Sequence, residues 1–142
     1  MSYEGRIYQV FTSRADSGSD VFQVHPGDYR RGQPADGSVY IRRAGFAPFL
    51  NLLRPIVGNF WSREACIGRP HLGPLLEGLD IFSTRIAAAR NASELKQVSP
   101  CIDVDEACFA LVRPQLFRAT AAFTRVVDVG WRRHGRFSIV RC

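Results

Sequence analysis

Apolar residues alternate with polar ones near both ends of this chain and recur every third or fourth position between them. A period that switches from two to about 3.6 and back confines the chain to strands at its ends and helices in its middle. Residues 6–12, with Ile7, Tyr8, Val10 and Phe11, read as a strand. The polar stretch 13–20 separates it from a second strand at 21–25, which the turn residues Pro26-Gly27-Asp28 stop. A third strand at 38–43 follows Pro34-Ala35-Asp36-Gly37, so the first third reads as an antiparallel β-meander. The chain end alternates again, with Val127, Val129 and Trp131 on one face, a turn at Arg132-Arg133-His134-Gly135, then Phe137 and Ile139. That pattern predicts a closing β-hairpin.

The middle of the chain reads as three or four helices. Residues 46–61 form an almost wholly apolar segment. In residues 72–90, Leu72, Leu75, Leu76, Leu79, Phe82 and Ile86 share one face, with Pro74 suited to a first turn. A short helical turn at 94–98 follows Asn91 and ends before Pro100. Asp103 and Glu106 have the spacing of a capping box, which predicts a helix starting there and kinked or restarted at Pro114. If the closing hairpin joins the meander, the fold is α+β: one antiparallel sheet with the helices packed on one face. At 142 residues the chain reads as a single domain, large enough to build a core without disulfide or metal staples.

Of the 19 basic residues only Lys96 is lysine, and the net charge is +6. Arginine matches phosphate or carboxylate in two-pronged contacts, but a biased genome also enriches it, and the even spread along the chain fits coding bias better than one binding surface. Met1-Ser2-Tyr3-Glu4-Gly5-Arg6 lacks the apolar run of a secretory signal, and no stretch reaches the roughly 20 apolar residues of a spanning helix. The expected location is therefore intracellular and reducing, with Cys66, Cys101, Cys108 and Cys142 as free thiols. Asn91-Ala92-Ser93, a glycosylation acceptor only in secreted chains, is discounted accordingly. Cys66, His71, Cys101 and Cys108 do not have the tight spacing of zinc knuckles, and neither metal nor cofactor is expected.

No Walker A loop, G-x-S-x-G elbow, H-E-x-x-H or Gly-rich dinucleotide turn occurs. Cys66 with His71, or either of Cys101 and Cys108 with a distant histidine, is the nearest approach to a nucleophile and base, although a buried structural cysteine is the simpler reading. Asp103 and Asp105 read as helix-capping acids, and His25 and His71 as single histidines beside turns.

Two features point to binding. Arg30, Arg31, Arg42 and Arg43 flank a turn, while Arg132, Arg133 and Arg136 decorate the closing hairpin beside Trp131. Arginines with an adjacent aromatic suit phosphate contacts and base stacking, and the two groups would merge if both turns lay at one end of the sheet. In residues 46–61, Phe46, Phe49, Leu50, Leu53, Phe60 and Trp61 leave little polar face, which suggests a surface covered by a protein partner or a second copy. The sequence thus favours a non-enzymatic structural or interaction subunit of a larger protein or ribonucleoprotein assembly. A nucleic-acid-binding protein and a small cysteine-dependent enzyme are the alternatives.

Overall fold

The computed structural model describes residues 7–13, 16, 20–28, 37–57 and 64–141. Strands β1 (Val10–Phe11), β2 (Val21–Pro26) and β3 (Val39–Arg42) come first, followed by helix α1 (Arg43–Val57) and strand β4 (Glu64–Gly68). Helices α2 (Arg69–Ala88), α3 (Ala92–Val98) and α4 (Phe109–His134) then lead into the final strand, β5 (Arg136–Arg141). The architecture is α+β. One five-stranded antiparallel sheet in the order β1-β3-β2-β5-β4 carries the helices against one face.

Strand alternation decides which face meets the helices. Phe22 and Val24 of β2, Val39 and Ile41 of β3, Ile67 of β4, and Phe137 and Ile139 of β5 all enter the core. Stacked rings fill its centre: Phe22 lies on Phe46 at 4.5 Å between centroids, and Phe49 lies nearly parallel to Phe123 at 5.1 Å. Phe123 meets Phe137 edge-on at 6.0 Å, tying α4 to β5. Among the described residues no helix is long and apolar enough to cross a membrane.

Three local expectations are corrected. The N-terminal strands do not run as a simple meander, because β3 lies between β1 and β2. The free edge of β2 pairs instead with β5 over five residues, a longer ladder than the two-residue β1 could supply. Strand β4, absent from the sequence reading, forms the outer edge beside β5.

Residues 127–134 are the second departure. They form the last turns of α4, so the closing element is the single strand β5, paired with β2 and β4. Ala119, Thr120, Phe123, Val126, Val127 and Gly130 are buried at helical spacing, while Val129 is half-buried and Trp131 exposed. The alternation at 127–131 was a coincidence laid over a 3.6 period. Gly135 ends the helix with φ of 69° in the left-handed region, and its N–H donates to the Trp131 carbonyl at 3.1 Å.

The third departure is the start of α4, which begins at Phe109 behind Cys108 rather than at Asp103. The acids still bond backbone N–H groups, but different ones. Asp105 Oδ1 accepts from Cys108 N–H at 2.9 Å, and Glu106 Oε1 accepts from Ala92 N–H at 3.0 Å at the start of α3. The Asp103 N–H donates to the Tyr8 hydroxyl oxygen at 2.7 Å. Helix α4 continues through Pro114 as one element of 26 residues.

Candidate interaction surface

The apolar segment that suggested a partner interface is core. Phe46, Phe49 and Leu53 are fully buried and Leu50 is 8% exposed. They pack on Phe22, Phe82 and Phe123 of the same chain. The expected interface is corrected for these four residues: α1 is apolar because it lies between the sheet and α2, and its own fold has consumed that face. Phe60 and Trp61 lie outside the described residues.

Arg42 and Arg43 do not merge with Arg132, Arg133 and Arg136. Register pairs Arg42 with Val21 at one end of β2, while Phe137, next to Arg136, pairs with Pro26 at the other. The six residues of β2 hold the groups apart by ~17 Å of strand. Arg42 caps the Phe11 ring at 5.4 Å, and Arg43 approaches Asp20 at 3.9 Å. Arg30 and Arg31 lie outside the described residues.

At the other end, the helix-to-strand turn gathers Arg132, Arg133, His134 and Arg136. Positive side chains are favoured there by the partial negative charge of the α4 C-terminus. Arg136 pairs with Asp28 at 3.0 Å and Arg132 with Asp128 at 3.2 Å. Both pairs are solvent-exposed and worth at most about 1 kcal/mol each. Because β4 lies beside β5, Arg69 arrives at the same place, its side chain lying against Gly135. Sequence reading could not bring Arg69 in without β4.

Among the described elements, helix α4 carries the largest net charge. It contains five arginines against one aspartate, a net charge of +4 within 26 residues of a chain whose total is +6. Arg118, Arg125 and Arg132 stand seven residues apart and are all exposed. Two turns of helix separate each from the next, so they form a row ~21 Å long on the face turned away from the core. Phe117 is 41% exposed and Trp131 is 39% exposed on the flank of that row.

Helix α2 runs antiparallel beside this row. Trp131 lies over Gly73 near the start of α2, and Arg113 Nη1 donates to the Ala87 carbonyl near its end at 3.1 Å. Small side chains along the seam leave it open. Ser83, Ala121 and Thr124 border a hollow of about 570 Å³ together with Asp80, Arg125 and Asp128. Next to it, Ala87, Pro114 and Phe117 form an apolar shelf of about 320 Å³ edged by Arg113 and Arg118.

A polar row crosses the opposite face of the sheet, where His25, Ser138 and Cys66 stand in register on β2, β5 and β4. His25 Nδ1 lies 2.6 Å from Ser38 Oγ, and Gln23 Nε2 donates to the same oxygen at 3.0 Å. Burial and then the nearby charge of His134 lower the His25 pKa, favouring neutral imidazole. Ser138 Oγ donates to the Gly27 carbonyl at 2.7 Å. The Cys66 thiol donates to Asp28 Oδ1 at 3.4 Å. Desolvation of the sulfur, reinforced by that carboxylate, raises its pKa, the reverse of what an activated nucleophile needs. His71 sits on the first turn of α2. Cys66, Cys101 and Cys108 are free thiols, and no group of three His, Cys, Asp or Glu among the described residues could hold a metal ion.

No family model, no curated protein and no solved structure matches the chain.

Proposed function

We propose that the chain is an interaction subunit of a larger assembly and that it docks through the outer face of α4 and the seam between α4 and α2. One observation supports this above all: α4 carries a net charge of +4 and, on the same side, two half-exposed aromatic rings beside an open seam. Isolated exposed apolar residues are ordinary on protein surfaces. Rings interleaved with Arg118 and Arg125, which hold no ion pair among the described residues, are not explained by solubility, which charge alone would supply. The core position of α1 also strengthens this reading, because it removes the competing docking face. The raised thiol pKa of Cys66 and the strand β5 that stands between it and His25 weigh against the cysteine-enzyme alternative.

A photo-crosslinking residue tests the reading directly. Benzoylphenylalanine in place of Phe117 should capture a partner on irradiation of cells that express the chain. The same residue in place of Ile81, 54% exposed on the far side of α2, should not. Equal capture at both positions, or none at Phe117, would remove the support for this docking face.

A further inference from the structure

We infer that the occupant of this face is a single-stranded nucleic acid, its phosphates on Arg118, Arg125 and Arg132 and its bases on Phe117 and Trp131; the inference rests on the docking reading above. Charge complementarity makes the argument. The three arginines span ~21 Å along α4, the length of about six phosphates at the ~3.4 Å spacing of a stacked strand. Arg118 and Arg125 have no ion-pair partner among the described residues, and Arg132 holds only an exposed pair with Asp128 that a phosphate would displace at little cost. An acidic protein would be attracted by the same charge but would need an apolar side chain of its own placed against each ring. Every nucleobase, in contrast, has a π-face to lay on them.

The shelf between Ala87, Pro114 and Phe117 adds a second, more local argument. Its volume of about 320 Å³ admits one nucleotide, with an apolar floor for the base and the Arg118 guanidinium at its edge for the phosphate. Arg113 is already engaged there, bonded to the Ala87 carbonyl and lying 5.6 Å over the Phe109 ring, so it fixes the wall of the shelf. The Phe117 and Trp131 rings stand fourteen residues apart at the two ends of the seam. A strand held at both ends would therefore lie along the helix rather than across it.

The test is the affinity of the full chain for fluorescent twelve-residue oligouridylate and oligothymidylate across a salt series. Three phosphate contacts to a single strand predict a slope of log affinity against log salt of about −2. Arg118→Ala with Arg125→Ala should leave a slope nearer −0.7, whereas Phe117→Ala should weaken binding about tenfold at every salt concentration without changing the slope. Arg42→Ala with Arg43→Ala removes the same charge at the far end of β2 and should leave the slope as in the wild type. All these side chains are exposed or half-exposed, and thermal melts verify that each variant folds. The inference is overturned if the wild type shows no salt-sensitive binding, if both double variants lower the slope equally, or if poly-glutamate competes as well as the oligonucleotides. In that last case an acidic protein is the partner and the docking reading stands. Failure of the Phe117 crosslink would remove the docking reading itself.

Discussion

Replacing Phe49 with alanine separates a core residue from an interface residue, and the two roles predict opposite outcomes. Phe49 is fully buried, stacks on Phe123 at 5.1 Å and 10°, and touches Phe46 and Phe82 at tilted geometry. Truncating a buried phenylalanine costs about 3–5 kcal/mol, from lost transfer energy and the cavity left behind. Four rings share this cluster, and each pair contributes about 0.5–1.5 kcal/mol beyond area, so the upper half of that range is expected. At ~2.1 cal/mol/K per residue, unfolding 142 residues carries an entropy of ~300 cal/mol/K, and a loss of ~4 kcal/mol lowers Tm by ~13 °C. Urea unfolding followed by circular dichroism measures the free energy, and a thermal melt measures Tm. Phe117→Ala in the same assays should change stability by no more than about 0.5 kcal/mol, because that ring is half in water. A Phe49→Ala protein within about 1 kcal/mol of the wild type, altered only in oligomeric state, would refute the placement of α1 in the core.

Gly130→Ala would set a Cβ 2.5 Å from the Arg136 carbonyl oxygen and 3.1 Å from Phe137 Cβ, forcing α4 off β5. Despite alanine's better helix propensity, a loss of about 1–3 kcal/mol is expected in urea unfolding. Tyr8→Phe deprives the Asp103 N–H of its 2.7 Å acceptor and should cost about 1–3 kcal/mol with the ring's packing kept. The Tyr8 hydroxyl, pushed up to about 12 chiefly by burial, should stay un-ionised in an absorbance titration through pH 10, where an exposed tyrosine is half ionised. His25 has a native pKa below its unfolded value of 6.5, so the unfolded chain binds more protons there and stability falls as pH drops below about 6.5. His25→Gln should flatten the stability profile in that window, and an unchanged profile would contradict the neutral, half-buried imidazole.

The class of fold was legible because it rests on period alone. The face formed by Leu72, Leu75, Leu79, Phe82 and Ile86 belongs to α2, and the alternation of Phe22 and Val24 orients β2. Strand β4 was not legible, since within the five residues Glu64–Gly68 only Ala65 and Ile67 alternate, too few to show a period. Missing it hid Arg69 from the basic end of the sheet. Val127, Val129 and Trp131 fit both periods over so short a window, and only the burial of Phe123, Val126 and Gly130 decides for the helix. That one ambiguity concealed the row of Arg118, Arg125 and Arg132, because a hairpin would have placed Arg132 on a different element from the other two. For Phe46, Phe49, Leu50 and Leu53 the apolar character was read correctly as burial. Which surface buries it depends on tertiary packing, and no local pattern encodes that.

The apparent mass of the chain, drawn from cells that express it, tests the docking claim most directly. Size-exclusion chromatography at low and at high salt, each with and without nuclease, compares the wild type with Phe117→Asp combined with Arg118→Glu. The account predicts that the wild type elutes at low salt well above its 15.9 kDa, and that high salt, nuclease or the double substitution returns it to that mass. A wild-type chain that elutes at 15.9 kDa under all four conditions, or a double variant that keeps the larger mass, would contradict it.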